Sequence, residues 1–274
     1  MTTKHKNIST QANLLLSKVS NQQKCFRLDD AYNFMPLSNP LSVRKLLSEM
    51  TERGLLMRLK AGLYHVIPFE EDPNSYMPEW HGITSCLVEK AENYVGYYSA
   101  LQIHGLITQP SLKEQIVVAE QQKPSELTIR KVIFQFIYHN PTHFFGWTSK
   151  WVDPYQKIRC SDLEKTIIDC LFQPEYAGGI VEIAKALYTC HHQLNYPRLI
   201  MYIDQFKSQA VLKRLGFLLE LMNINTTITE DLRKQKSSSY ILLDPSLPKA
   251  GKYISRWSIQ QNLDSDTIKS AINT

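Results

Sequence analysis

Residues 38–67 read SNPLSVRKLLSEMTERGLLMRLKAGLYHVI, and this stretch decides the architecture of the first quarter of the chain. Asn39 is a good helix N-cap, and Pro40 suits the first helical position, where its missing N–H costs nothing. Val43, Leu46, Leu47 and Met50 recur at helical spacing and define a buried face. Ser42, Arg44, Lys45 and Ser48 fall on the other face. Arg53-Gly54 ends the helix, with Gly54 supplying the positive φ of a C-terminal stop. Residues 55–59 and 63–67 then read as two strands joined by the tight turn Lys60-Ala61-Gly62.

Upstream, Ser9 or Thr10 caps a helix with Ala12, Leu15, Leu16 and Val19 inward. A short helix fits Leu28 to Met35, burying Ala31, Phe34 and Met35. Three helices followed by a two-stranded hairpin is the order of a winged helix-turn-helix. In that arrangement the third helix enters the major groove by its N-terminal polar residues. The expected DNA-binding residues are therefore Asn39, Ser42, Arg44, Lys45 and Ser48, with Arg58 and Lys60 on the hairpin reaching the flanking phosphates. His65 lies in a wing strand and is read as structural.

Charge points the same way. The 274 residues carry 31 Lys and Arg against 26 Asp and Glu. Residues 1–69 hold ten of the bases and four of the acids, while residues 70–274 hold 21 bases and 22 acids. A local surplus of six on an otherwise balanced chain is the footprint of a nucleic-acid contact. The composition, 43% hydrophobic and 21% charged, excludes a mainly disordered chain. No run approaches a membrane span, and the start MTTKHKNISTQ lacks the apolar core of a signal peptide, so a cytoplasmic protein is expected. Cys25, Cys86, Cys160, Cys170 and Cys190 show no CxxC spacing and read as five reduced thiols. Cys190-His191-His192 lacks a second ligand group, so no metal is expected.

Residues 70–78 turn acidic within a proline-rich stretch and read as a linker. Residues 79–274 then read as a larger α/β domain, giving a mixed α/β protein. Helices are expected over 83–93, 97–106, 180–191, 198–206 and 209–223, and strands over 114–119, 131–138, 156–160 and 240–243. Ser161-Asp162-Leu163-Glu164 has the form of a capping box before a helix that buries Leu163, Ile167, Ile168 and Leu171. The phosphate-cradling loops GxxxxGK[ST] and GxGxxG are absent, and so is GxSxG. Asp264-x-Asp266 lacks the Gly-Ser a nucleotidyltransferase acid pair requires, and reads as a solvated loop. Asp162, Glu164 and Asp169 cluster on one segment, where capping and dipole compensation account for the first two. Asp169 meets Lys165 as an i,i+4 pair. His104, in an apolar helix, reads as a satisfied core residue. No catalytic residues and no cofactor are expected.

Four segments of this second region carry a resemblance: Tyr98–Leu106 (YSALQIHGL), Asp162–Leu171 (DLEKTIIDCL), Pro174–Gly179 (PEYAGG) and Lys213–Glu220 (KRLGFLLE). Together with Arg58–Tyr64 (RLKAGLY), they resemble the AbiEi family, antitoxins of type IV toxin–antitoxin and phage-defence systems. The resemblance implies two roles. The N-terminal winged helix binds inverted repeats in the promoter of its own operon and represses it. The C-terminal domain counteracts a nucleotidyltransferase-like toxin, whether or not the two proteins bind. It makes Asp162, Glu164, Lys165, Asp169, Gly178 and Gly179 the antitoxin candidates. Two rival readings follow from the residues: a ligand-responsive winged-helix regulator without a toxin, and a C-terminal domain acting enzymatically on toxin or nucleotide.

Overall fold

Ser9 Oγ accepts from the Ala12 N–H at 3.2 Å and starts α1 (Thr10–Ser20), which buries Ala12, Leu15 and Val19. The computed structural model describes residues 8–20, 25–88, 92–107, 109, 111–154 and 156–272. The chain divides into two compact units, Met1–Lys90 and Ala91–Thr274. Among the described residues there are eleven α-helices and three sheets, so the architecture is mixed α/β.

In the first unit α1 is followed by β1 (Cys25–Arg27), α2 (Leu28–Phe34) and α3 (Pro40–Glu52). Asn39 Oδ1 accepts from Leu41 N at 2.9 Å, satisfying one of the orphan donors at the start of α3. Val43, Leu46, Leu47 and Met50 are buried against α1 and α2. Gly54 has φ +73°, as a C-terminal stop requires. β2 (Leu56–Lys60) and β3 (Leu63–Val66) form the expected hairpin, with Gly62 at φ +69° in the turn. The sheet has a third strand the sequence did not reveal. β1 pairs antiparallel with β3, giving the order β1-β3-β2. At three residues, β1 is too short to show alternation.

Residues 70–78, expected as a linker after a boundary at 69, belong to the first unit. The Pro73 ring lies where a side chain at Gly54 would sit, 2.2 Å from an ideal Cβ. The Tyr76 ring is 5.8 Å from that of His65. Lys60 Nζ donates to the Leu87 carbonyl at 2.8 Å, and an Arg27 guanidinium N–H donates to the Cys86 carbonyl at 3.1 Å. Proline and acidic residues here mark a strap on the unit surface. Of the helix expected over 83–93, only α4 (Thr84–Leu87) forms. Its continuation through 89–91 lies outside the described residues.

The second unit opens with β4 (Asn93–Val95) and α5 (Tyr97–Ile103). Then come β5 (Lys113–Val118), β6 (Glu126–Ile129), β7 (Val132–Tyr138), β8 (Trp147–Asp153) and β9 (Gln156–Ser161). They form one mixed sheet in the order β6-β7-β5-β4-β9-β8. The helical layer is α6 (Leu163–Phe172), a 3₁₀ turn (Pro174–Ala177), α7 (Ile180–Cys190), α8 (Tyr196–Phe206), α9 (Gln209–Leu221) and α10 (Ile228–Gln235). A small sheet of β10 (Ile241–Leu242), β11 (Lys252–Ile254) and β12 (Ile259–Gln261) follows, with β12 central, and then α11 (Ser265–Ile272). Asp266 therefore sits in the first turn of a helix rather than in a solvated loop; Ile268, buried among α7 and its neighbours, draws that segment into the core. The fraying expected of the last residues concerns 273–274, which lie outside the described residues. All five cysteines are free thiols.

Candidate functional site

The outward face of α3 is a continuous polar surface. Ser42, Arg44, Lys45 and Ser48 are all exposed, and so is Asn39 before them. Tyr32 Oη accepts from Arg44 Nε at 2.7 Å, which holds the exposed guanidinium. Lys45 Nζ is 3.9 Å from Glu49 with its side chain 80% exposed, a weak surface pair that a phosphate readily replaces. Ser48 Oγ is 3.4 Å from Glu52 Oε1. Leu37 and Leu41 stand fully and 72% exposed beside this polar face, an unusual placement for leucine outside an interface.

The two hairpin cations differ. Arg58 is exposed. Lys60 is half-buried, and its ammonium is committed to the Leu87 carbonyl. It anchors α4 to the hairpin, a role no local sequence pattern distinguishes from a phosphate contact. His65 is buried in β3, in keeping with a structural part.

In the second unit, β9 leads into α6, whose N-cap is Asp162. Its side chain accepts from Lys165 N at 2.9 Å and from Tyr202 Oη at 2.7 Å. The cap thus falls one residue later than the expected Ser161, and the expected box does not close: Asp162 N donates to the Gly146 carbonyl at 2.9 Å. Ser161 pairs instead with Thr166, Oγ to Oγ1 at 2.7 Å. Glu164 accepts from Asn195 N at 2.7 Å and from Arg198 at 3.4 Å, tying α6 to the start of α8. Partial burial pushes the Asp162 carboxyl up from the usual carboxylate range.

Lys165 and Asp169 point inward and are 0% exposed. Lys165 Nζ donates to Asp169 Oδ1 and, at 3.0 Å, to Tyr94 Oη, which donates to Asp169 Oδ2 at 3.3 Å. The ammonium also lies 5.1 Å from the ring centres of both Phe145 and Phe206. Burial pushes the Asp169 carboxyl up and the Lys165 ammonium down, and the charge of each partner opposes the other's shift. His139, 3.9 Å from Asp169, is neutral: burial, helped by the Lys165 charge, lowers its pKa to about 3. His139 Nε2 is 2.7 Å from Tyr97 Oη, which is 2.8 Å from Gln173 Oε1, and His139 Nδ1 is 3.3 Å from the His143 carbonyl. Tyr97 begins α5 at φ +52°, a strained backbone for a bulky residue, held in place by these bonds.

This network was only partly visible beforehand. The i,i+4 spacing pairs Lys165 with Asp169 but does not show that the pair is buried. Tyr94 and Tyr97 come from the β4–α5 stretch and His139 from the end of β7, with no shared motif, while Gln173 is the C-cap of α6 itself. His104 is satisfied, Nε2 to the Ser161 carbonyl at 2.9 Å, although only half-buried.

The remaining candidates take up backbone positions. Gly178 and Gly179 have φ of +78° and +86°. Asp244 Oδ2 accepts from Ile180 N at 2.9 Å and lies 3.0 Å from where a Gly179 Cβ would stand, so a side chain there crowds the cap of α7. The six antitoxin candidates thus do not converge on one exposed surface. Two form a buried ion pair, two join α6 to α8, and two shape a turn. Among the described residues no group of three or more His, Cys, Asp or Glu is placed to hold a metal, and no helix is long and apolar enough to cross a membrane.

No protein-family model matches the chain, and no curated protein is similar to it in sequence. Its fold resembles that of the RV2827C protein from Mycobacterium tuberculosis, known from a crystal structure. The TM-score is 0.64 at 14% identity, covering 98% of this chain and 96% of that one. The likeness spans both units and is one of fold.

Proposed function

We propose that this chain is a DNA-binding autorepressor and antitoxin of the AbiEi type. In this reading the first unit is a winged helix-turn-helix that recognises inverted repeats in its own promoter. The second unit counteracts a nucleotidyltransferase-like toxin. The observation that carries the DNA-binding part is the outer face of α3. It starts at a capped N-terminus and presents Leu41, Ser42, Arg44, Lys45 and Ser48 to solvent. An Arg guanidinium held by Tyr32 is pre-oriented for bidentate donation to guanine, and an exposed Leu suits a thymine methyl. Exposed Arg58 supplies a backbone contact from the hairpin, while Lys60 holds the unit together.

The antitoxin part rests on the resemblance. The α6 candidates are consistent with a scaffold role, with Lys165–Asp169 fixing the helix against the sheet. The test measures binding of the full chain to the DNA upstream of its gene over a salt series. Arg44→Gln with Lys45→Gln is expected to abolish specific binding while leaving thermal stability unchanged. A double variant that represses normally refutes the assignment of α3. Growth rescue by the full chain, co-expressed with the product of the adjacent downstream gene, tests the antitoxin half. A harmless product of that gene refutes this pairing.

A further inference from the structure

Lys213 projects from α9 with its side chain buried, and among the described residues no carboxylate pairs with it. Its ammonium donates to Ser237 Oγ at 2.9 Å, to the Ser239 carbonyl at 2.5 Å and, more weakly, to Ser239 Oγ at 3.4 Å. A second ammonium lies close by: Lys236 Nζ donates to the buried Ser258 Oγ at 3.1 Å. Burial and the Lys236 charge together hold the Lys213 pKa down. The neighbouring acids are taken elsewhere. Glu230 and Asp231 pair with Arg233 and Lys234, and Glu220 pairs with Arg256. Elsewhere in this unit the buried Lys165 has its carboxylate. Here one ammonium meets the Ser237 and Ser239 hydroxyls and a second, within electrostatic reach of it, meets that of Ser258, and among the described residues no carboxylate pairs with either.

Hydrogen-bond direction shows what the corner offers. An ammonium only donates, so each serine oxygen it meets accepts and must send its own proton elsewhere. Ser237 and Ser239 share one of their two protons, Oγ to Oγ at 2.9 Å, which leaves one hydroxyl donor between them. Ser258 has another, and Lys236 has further N–H donors. The start of the loop is fixed on either side of Lys236 by one side chain: Gln209 Oε1 accepts from Ser237 N at 2.6 Å, and Gln209 Nε2 donates to the Gln235 carbonyl at 3.2 Å. Donors of positive charge on a braced loop, with no acid opposite, match an oxyanion carrying two negative charges.

We propose that Lys236, Ser237, Ser239 and Ser258, with the Lys213 charge behind them, form a binding site for a phosphate-type dianion. The site lies outside the DNA-binding surface and outside the α6 segment. It takes either inorganic phosphate or the phosphate group of a nucleoside monophosphate.

The experiment titrates the full chain with inorganic phosphate at constant ionic strength, balanced by sodium chloride, and reads both heat of binding and melting temperature. A saturable rise in Tm of roughly 5–10 °C is expected at a hundredfold excess over Kd. Lys236→Met and Ser258→Ala are each expected to weaken phosphate binding at least about tenfold, the size of one lost charge-assisted hydrogen bond, without changing Tm in chloride alone. Lys131→Met, at an exposed lysine in the turn between β6 and β7, is expected to bind as the parent does. A parallel titration with adenosine 5′-monophosphate separates the sources. Tighter binding than inorganic phosphate assigns the site to a nucleotide, and weaker binding assigns it to the free ion. Phosphate acting no differently from chloride overturns the proposal. So does unaltered binding by Lys236→Met, or an equal loss in Lys131→Met.

Discussion

Replacing Lys165 by Met tests whether the buried network is an ion pair or a neutral hydrogen-bonded cluster. The ammonium and the carboxylate are both 0% exposed. Without Lys165, Asp169 keeps only the Tyr94 hydroxyl at 3.3 Å and the His139 ring at 3.9 Å. An uncompensated buried carboxylate costs about 3–5 kcal/mol. For a unit of this size that is a fall of roughly 6–20 °C in Tm. Removing both charges, as Lys165→Met with Asp169→Leu, recovers most of the loss, because the paired charges gain little beyond their own desolvation. The pH dependence has a definite sign. In the single variant the Asp169 carboxyl is pushed up by burial with no ammonium to oppose it, so the native state binds a proton that the unfolded chain releases. Stability then falls as pH rises, and the deficit relative to the parent shrinks as pH is lowered from 7 towards 5. Loss of the Lys165 charge also eases protonation of His139, which acts in the same direction. The assay is urea unfolding by tryptophan fluorescence, with Trp147, Trp151 and Trp257 in the second unit. A single variant no less stable than the double, or a deficit flat between pH 5 and 7, refutes the ion pair.

The parent protein should lose stability in acid through His139. Its pKa is about 3 when folded, against the ordinary 6.5 of a solvated imidazole, so below pH 6.5 the unfolded chain takes up a proton the native ring refuses. The slope is at most about 1.4 kcal/mol per pH unit, and His139→Gln should flatten it in a pH series of urea midpoints. Gly216→Ala places a methyl 2.1 Å from the Trp257 ring and should cost about 1–3 kcal/mol by overpacking, read as a lowered Tm. On DNA, Arg58→Gln should reduce the slope of log K against log salt by about 0.9, the share of one phosphate. Lys60→Gln should leave that slope nearly unchanged and lower Tm instead, since its ammonium serves the Leu87 carbonyl.

Segments on which the proposed AbiEi reading rests are physically constrained in this fold. In Lys213–Glu220, Lys213 holds the serine loop, and Arg214 donates to the Leu171 and Leu243 carbonyls at 2.6 and 3.0 Å. Burial lowers the Arg214 pKa to about 10. Gly216 makes room for Trp257, whose indole N–H donates to Glu220 Oε2 at 2.7 Å. A motif that carries a family likeness can therefore be a motif of packing.

Local chemistry made much of the chain legible. Asn39, Pro40 and Gly54 bound α3 because capping and positive φ are decided within a few residues. The same local signals placed α6, α7 and α9 and named Ile167, Ile168 and Leu171 of α6 as buried, although α6 is buried all round from Glu164 to Leu171. Strands β1, β4 and β11 are three residues long, too short for a period of two to register, and they exist because a neighbouring strand supplies their partners. The extent of the first unit was hidden because a proline-rich acidic strap has the composition of a linker.

By itself the sequence determined the cap and the inward and outward faces of α3, the hairpin turn, the basic bias of the first quarter and most of the helical layer. All of these depend on neighbours a few positions apart. Only the tertiary structure decided that Lys60 is an anchor, that Lys165, Asp169, Tyr94, Tyr97 and His139 form one buried network, and that Lys213 and Lys236 meet at a serine loop. Charge and hydrogen-bond balance inside a protein is settled by groups distant in sequence, and nothing in the spacing of one segment records which of them the fold will bring together.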